Sequence, residues 1–428
     1  MTNRPPIIEY DPALPLGHVT AAFDIGSLLD PVGKEGTTSL LFRLLRRTAL
    51  GLSASDVEAQ LDGLGASAGV DVARSIAALQ GSCLSRSWER FSELMLSMLS
   101  SFPENENEFT RLKSEADAEW SESLDNDSLV ARRFFVRHIF PNHPYARLTS
   151  GTKRSLSKVE LDDLRAVYAQ LVHTDRLITT FSGDITAEQA DIFVTRLRAS
   201  IKNSASFIAP DLDDPHVPEG RRLLFVDKPE RSQAQILIGC LGAHPADRDR
   251  TALYVGNTIF GGTFSARLSR EVRGKRGWSY GAYSQLSHDR KRQSFSMWTF
   301  PQASDVAACI KLQLSLFEEL VQNGVSSSEV SAAKKYLLNS HAFSRDTASK
   351  RAALRLDQEI YNLPPIEGFK ERVSAVTADD VNQAMSRRFS TKDMSLVVLG
   401  TAAELLPAVQ DAIFNLSETK TVPFDLDD

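Results

Sequence analysis

The chain has few of the residue patterns that announce a self-sufficient active site. Its three cysteines, Cys83, Cys240 and Cys309, lie far apart in apolar or helical contexts, so no CxxC pair offers a redox or metal site. GxxxxGKS/T, GxSxG and HExxH are all missing, which removes the common phosphate-binding, nucleophile and zinc-helix signatures. The eight histidines show no i,i+3 or i,i+4 pairing. A zinc site needs about three protein ligands, and no helix presents two of them. His138 and His143, the closest pair, span Pro141 and read more simply as a turn after a helix than as a metal site. A strong excess of one charge is also missing. Lys plus Arg total 49 against 55 Asp plus Glu, a net of −6, which gives no global reason to expect nucleic acid as a partner. The N-terminus lacks the apolar run of a secretory signal, and no stretch approaches the roughly 20 apolar residues of a membrane span. As it stands the chain reads as cytoplasmic, or as periplasmic if a leader has been removed.

What is present describes a globular protein with a normal core, 42% hydrophobic and 24% charged. Its length predicts two to four domains at about 100–200 residues each. The stretch NSASFIAPDLDDPHVPEG, from 203 to 220, is rich in proline and acid and has no helical period, as expected of an exposed connection. It predicts a first domain over 1–205, a linker over 206–220 and a second domain over 221–428. Hydrophobic period places strands at 18–27, 68–73, 76–84 and 176–184 in the first half, with helices at 37–49, 55–66, 87–101, 106–124, 127–140, 157–171 and 187–200. In the second half it places strands at 223–228, 234–242, 278–287, 293–300 and 394–400. Helices fall at 247–260, just after the glycine pair, and at 304–322, 326–345 and 348–360, with one more at the end. The order repeats at roughly 210 residues, too long a period for a solenoid, and reads as a duplicated α+β unit.

One segment could carry chemistry. Gly261 and Gly262 break two helices, and Arg267, Arg270, Arg273, Lys275 and Arg276 then crowd five cations against one acid, Glu271. Gly277 is expected to end the helix, putting Arg273 in its last turn, with Tyr280 and Tyr283 on the strand that follows and facing opposite ways. Arg273 and Tyr280 could then converge on a peptide carbonyl and stabilise the oxyanion formed when water attacks it. Spacing alone also allows Arg273 to pair with Glu271 or another acid while Tyr280 packs in the core, and by itself favours that arrangement.

GGTFSARLSREVRGKRGWSYGAYS, from Gly261 to Ser284, resembles the segment GGxFSSRLFxEVRExRGLAYxVYS of the pitrilysin and mitochondrial processing peptidase family. FDIGSLLDPVGKEGTTSLLFRLL resembles that family's GSRxExPGKEGxAHFLEHML. There the inverted HxxEH motif supplies two zinc-binding histidines and a glutamate base. Here the matching positions are Ser39, Phe42 and Arg43, none of which can do that work. Glu119 falls where the family's third ligand sits and reads as a relic or as the countercharge of Arg43.

The resemblance spans essentially the whole chain. It implies two homologous α+β domains, each an antiparallel-rich sheet packed with helices, in a clam-shaped assembly of two such chains. It also implies that Arg273 and Tyr280 are catalytic residues complementing another subunit's site, with Gly261 and Gly262 binding substrate. No metal or cofactor is expected in this chain. Zinc is expected in a homologous HxxEH-bearing partner, with peptide as substrate. The other reading the resemblance allows is a non-catalytic scaffold subunit of a larger complex.

Overall fold

Successive residues of a strand face opposite sides of its sheet, so a strand apolar at every position must be covered on both faces. The central strands of this chain are of that kind, and the architecture follows from how their second face is covered. The computed structural model describes residues 4–201 and 212–427. β1 (Ile7–Tyr10), β2 (Leu16–Phe23), β3 (Ser67–Val72), β4 (Ala77–Leu84) and β5 (Leu177–Gly183) form one sheet in the order β1-β5-β2-β4-β3. β6 (Arg221–Asp227), β7 (Gln235–Leu241), β8 (Ala282–Leu286), β9 (Ser294–Thr299), β10 (Met394–Gly400) and β11 (Leu416–Pro423) form a second, in the order β11-β6-β10-β7-β9-β8. Pairing is antiparallel except along one flank of each sheet, where β1 runs parallel to β5 and where β6, β10 and β11 run parallel to one another.

One face of each sheet is covered by helices of its own half, and the other by a helix from the opposite half. In β10, Met394, Leu396 and Val398 join the core of the second half. Val397 and Leu399 join that of the first. The link is the helix Asp127–Ile139, which lies against β7 and β10. In return the helix Ala348–Tyr361 packs on β5 and β1, where Leu356 and Ile360 meet Ala22, Ile76, Ala78 and Ile178. Closeness is enforced by small residues: a Cβ on Gly239 of β7 would stand 2.9 Å from the Phe135 ring.

Several sequence expectations need correction. The helix expected over 157–171 is two, Lys153–Lys158 and Leu161–Leu171, because Val159 is extended and Glu160 with Asp163 forms a capping box that starts the second. The helix expected to reach 345 stops at Ser340, and Thr347 caps the next one by accepting the Lys350 N–H. β1, β11 and the helices Phe369–Ala375 and Ala378–Arg388 were not foreseen. β1 is only four residues long, and β11, LSETKTVP, is a polar edge strand with little apolar signal. Of the expected linker, residues 206–211 lie outside the described residues, and 212–219 form neither helix nor strand. Among the described residues no helix is long and apolar enough to cross a membrane.

Candidate functional site

The helix Thr37–Arg46 is set by Asp30, whose carboxylate accepts the N–H of Gly36 and of Thr38 at 2.8 Å and the Thr38 hydroxyl at 2.6 Å. Gly36 enters at φ +96°, a left-handed conformation that suits glycine. Ser39 and Arg43, one turn apart, line a cavity of about 410 Å³. Phe42 does not: it is fully buried, edge-on to Phe23 at 6.2 Å between ring centroids.

Arg43 reaches across to the helix Glu106–Ser123 and grips Glu119 with both nitrogens, Nη1 to Oε2 at 2.9 Å and Nη2 to Oε1 at 2.7 Å. Nη2 also lies 3.3 Å from Glu115. Arg47, one turn on, binds Glu115 and Glu108, and holds the Glu115 carboxyl below the usual range. These residues do not fit zinc. A hydroxyl is a weak ligand, a guanidinium already carries positive charge, and both oxygens of Glu119 are engaged. Among the described residues no group of three His, Cys, Asp or Glu side chains stands ready to hold a metal. His138 and His143 are turned to other work. His138 Nε2 meets the Arg222 carbonyl at 3.0 Å, and burial pushes its pKa down to about 4. His143 accepts the Tyr145 N–H at 3.1 Å at the start of a turn.

The second feature is the segment after the glycine pair. Gly261 closes the helix Arg250–Phe260 against β8, and its carbonyl accepts the Ser284 N–H at 3.0 Å. A Cβ there would stand 2.5 Å from that same nitrogen, so glycine is required. Gly262 is exposed. The next helix starts as one α turn, Arg267–Ser269, and continues as a π-helix, Arg270–Lys275, a rare form found disproportionately at functional sites. Gly277 at φ +66° then turns the chain out.

Arg273 does not pair with Glu271. That acid is taken by Lys275 at 2.7 Å, Arg276 at 3.0 Å and Arg270 at 3.6 Å, while Arg267 binds Glu329. Among the described residues Arg273 is the member of the cluster without a carboxylate within 4 Å. Its Cζ stands instead between two rings, 4.0 Å from the Phe264 centroid and 4.7 Å from that of Tyr280. Nor is Tyr280 a core residue or a strand residue. It is 80% exposed, on a bend before β8 begins at Ala282. Ser279 fixes that bend by donating to the Gly281 carbonyl at 2.6 Å and accepting the Phe300 N–H at 2.9 Å. Phe264, 76% exposed, was not singled out from the sequence, although it stands two residues after the glycine pair.

Residues 158–337 match the peptidase M16 inactive domain. Over that stretch the chain is similar to the M16 peptidases. Among curated proteins, the chain is 21% identical over 404 residues to the non-peptidase homolog YmxG of Helicobacter pylori, covering 92% of this chain and 91% of that protein. It is 23% identical over 385 residues to an uncharacterized zinc protease of Streptomyces coelicolor, covering 88% and 83%. Its fold matches a crystal structure described as a peptidase M16 inactive domain from Pseudomonas fluorescens, with a TM-score of 0.84 at 24% identity over 92% of this chain and 94% of that one. A Helicobacter pylori protease structure also gives a TM-score of 0.84, at 17% identity. The chain thus shares the fold of those proteins, and its helix Thr37–Arg46 carries Ser39, Phe42 and Arg43.

Proposed function

We propose that this chain is the zinc-less subunit of a two-chain peptidase, in which Arg273 and Tyr280 hold the scissile carbonyl of a peptide bound at the partner's catalytic centre. The observation that carries the reading is the state of Arg273, a cation with no acid beside it, held between two exposed rings on a rigid mount. A surface that only stabilised its own fold would pair that charge or bury those rings. Both are left outward, where a second chain and its substrate can reach them.

In this reading the partner is a homologous subunit with intact HxxEH, and its zinc supplies the activated water. This chain supplies the electrostatic half. The guanidinium of Arg273 and the phenol of Tyr280 donate hydrogen bonds to the carbonyl oxygen and strengthen them as negative charge develops there. The rings of Phe264 and Tyr280 exclude water from the guanidinium, which raises the strength of its interaction with that oxygen. Gly262, exposed beside them, leaves room for substrate backbone, and Gly261 keeps the loop tight against β8.

The test is peptide hydrolysis by this chain, by an HxxEH homologue from the same source, and by their mixture. The expected result is activity in the mixture alone, reduced about 10²–10³-fold by Arg273→Ala. Activity in the mixture that ignores Arg273→Ala and Tyr280→Phe, or no complex at all, leaves the scaffold reading in its place.

A further inference from the structure

The cavity beside Ser39 and Arg43 does not suit a cation, and its other polar residues show what it does suit. Arg132 and Arg133, on the helix Asp127–Ile139, line it together with Arg43. Arg43 is neutralised by Glu119, but neither of the other two has an acid within 4 Å among the described residues. Arg133 is the telling one. It is 9% exposed, its Cζ stands 3.8 Å from the Trp120 ring centroid, and its Nη2 donates to Ser123 Oγ at 2.8 Å. Its Nη1 is buried with no hydrogen-bond partner. Asp427 is the acid whose field reaches it, from beyond 4 Å; its Oδ2 accepts the Arg154 N–H at 2.7 Å, and its Oδ1 is itself buried without a hydrogen-bond partner. Arg132 is held open by neutral groups, donating to Tyr283 Oη at 3.2 Å with its Cζ 5.4 Å from the Trp298 ring centroid.

A buried cation without a countercharge is costly, and an anion that enters beside it recovers that cost. Guanidinium groups meet carboxylates with paired, directed hydrogen bonds. Around the two arginines the walls are Leu40, Ala116, Trp120, Leu129 and Val136, and about 410 Å³ lies within the range of roughly 300–1,000 Å³ typical of small-ligand sites. Beside the cavity, a shallower depression shares Glu119 and carries Glu122 and Asp125, so a small dianion is repelled. One carboxylate on an otherwise neutral or basic apolar peptide is favoured.

We propose that the vacated zinc cleft of this chain binds a peptide carboxylate, either a free C-terminus or an acidic side chain, with Arg132 and Arg133 as its receptors. The inference is independent of the role given to Arg273.

The experiment is calorimetric titration of the whole chain, without any partner, with three short apolar peptides. One has a free C-terminal carboxylate, one is the same peptide amidated, and one is amidated but carries a single aspartate. Trp120 fluorescence reports occupancy. Either carboxylate peptide is expected to bind, and which one does identifies the source. The neutral amide is expected to bind at least tenfold more weakly, and inorganic phosphate to compete poorly. Arg132→Gln lowers affinity for the carboxylate about tenfold or more, whereas Arg132→Lys retains part of it. Arg273→Ala leaves it unchanged. Equal binding of the neutral amide, indifference to Arg132→Gln, or no binding of either acid at millimolar concentration would overturn the proposal while leaving the complementation reading standing. Arg133→Met completes the series, and if it fails to fold, Arg132→Gln carries the decision.

Discussion

Arg273 stands against the ring of Tyr280, its Cζ 4.7 Å from the ring centroid, while Tyr280 itself is 80% exposed. Neither residue is spent on the fold. Tyr280→Phe and Arg273→Ala are therefore expected to shift unfolding free energy by no more than about 0.5 kcal/mol, as for surface substitutions that break no buried contact. Chemical denaturation checks this. A loss well above 1 kcal/mol for either variant would mean that the pair is structural.

Two glycines of this segment, Gly261 before the cation cluster and Gly274 within it, should behave oppositely. Gly261→Ala places a Cβ 2.5 Å from the Ser284 backbone nitrogen, which must move β8, and a loss of about 1–3 kcal/mol is expected. Gly274 has nothing within 4 Å of its virtual Cβ and no positive φ, so Gly274→Ala is expected to be neutral or to stabilise by up to about 1 kcal/mol. Thermal melts of the two variants decide it.

His138 links stability to pH. Burial lowers its pKa to about 4 in the folded chain, against about 6.5 unfolded, so the unfolded state binds more protons between those values. Its contribution is complete above pH 6.5 and fades as pH falls toward 4, by up to about 3 kcal/mol. His138→Asn should flatten this part of the profile in denaturant titrations run from pH 4 to 7. An unchanged slope would show that the imidazole does not titrate against the fold.

The three cysteines should be inert in the native protein. Burial pushes the thiols of Cys83 and Cys240 up to about 12 and that of Cys309 up to about 11. A thiol of that kind offers almost no thiolate at neutral pH. A thiol-reactive dye should label none of them within the time it labels all three in denaturant, and rapid native labelling of any one would contradict its burial.

Much of this was legible in the sequence because the core helices and strands have strong period and their ends carry local signals. The helix ending at Phe260 and the strand Met394–Gly400 are examples. The pairing of Arg43 with Glu119 was one of two readings the sequence left open, since a cation invites a countercharge. What escaped was set by tertiary context. Tyr280 was expected on a strand from its alternation with Ser279 and Gly281, yet the Ser279 hydroxyl holds a bend there instead. β11 was missed because its pairing with β6 is a backbone event that a polar sequence does not advertise. Arg132 and Arg133 sit in a run, VARRFFV, whose apolar residues drew the reading. Two arginines inside such a run were the available signal.

The exchange of helices between the halves fixes what the connecting segment can and cannot do. Because Asp127–Ile139 roofs the second sheet and Ala348–Tyr361 roofs the first, neither half has a complete interior by itself. Cleaving the connection leaves the two pieces clasped, since the grip is apolar surface and not the covalent strand between them. Making either piece alone leaves a sheet face bare, and such a fragment will cluster with its own kind sooner than stand as a smaller protein.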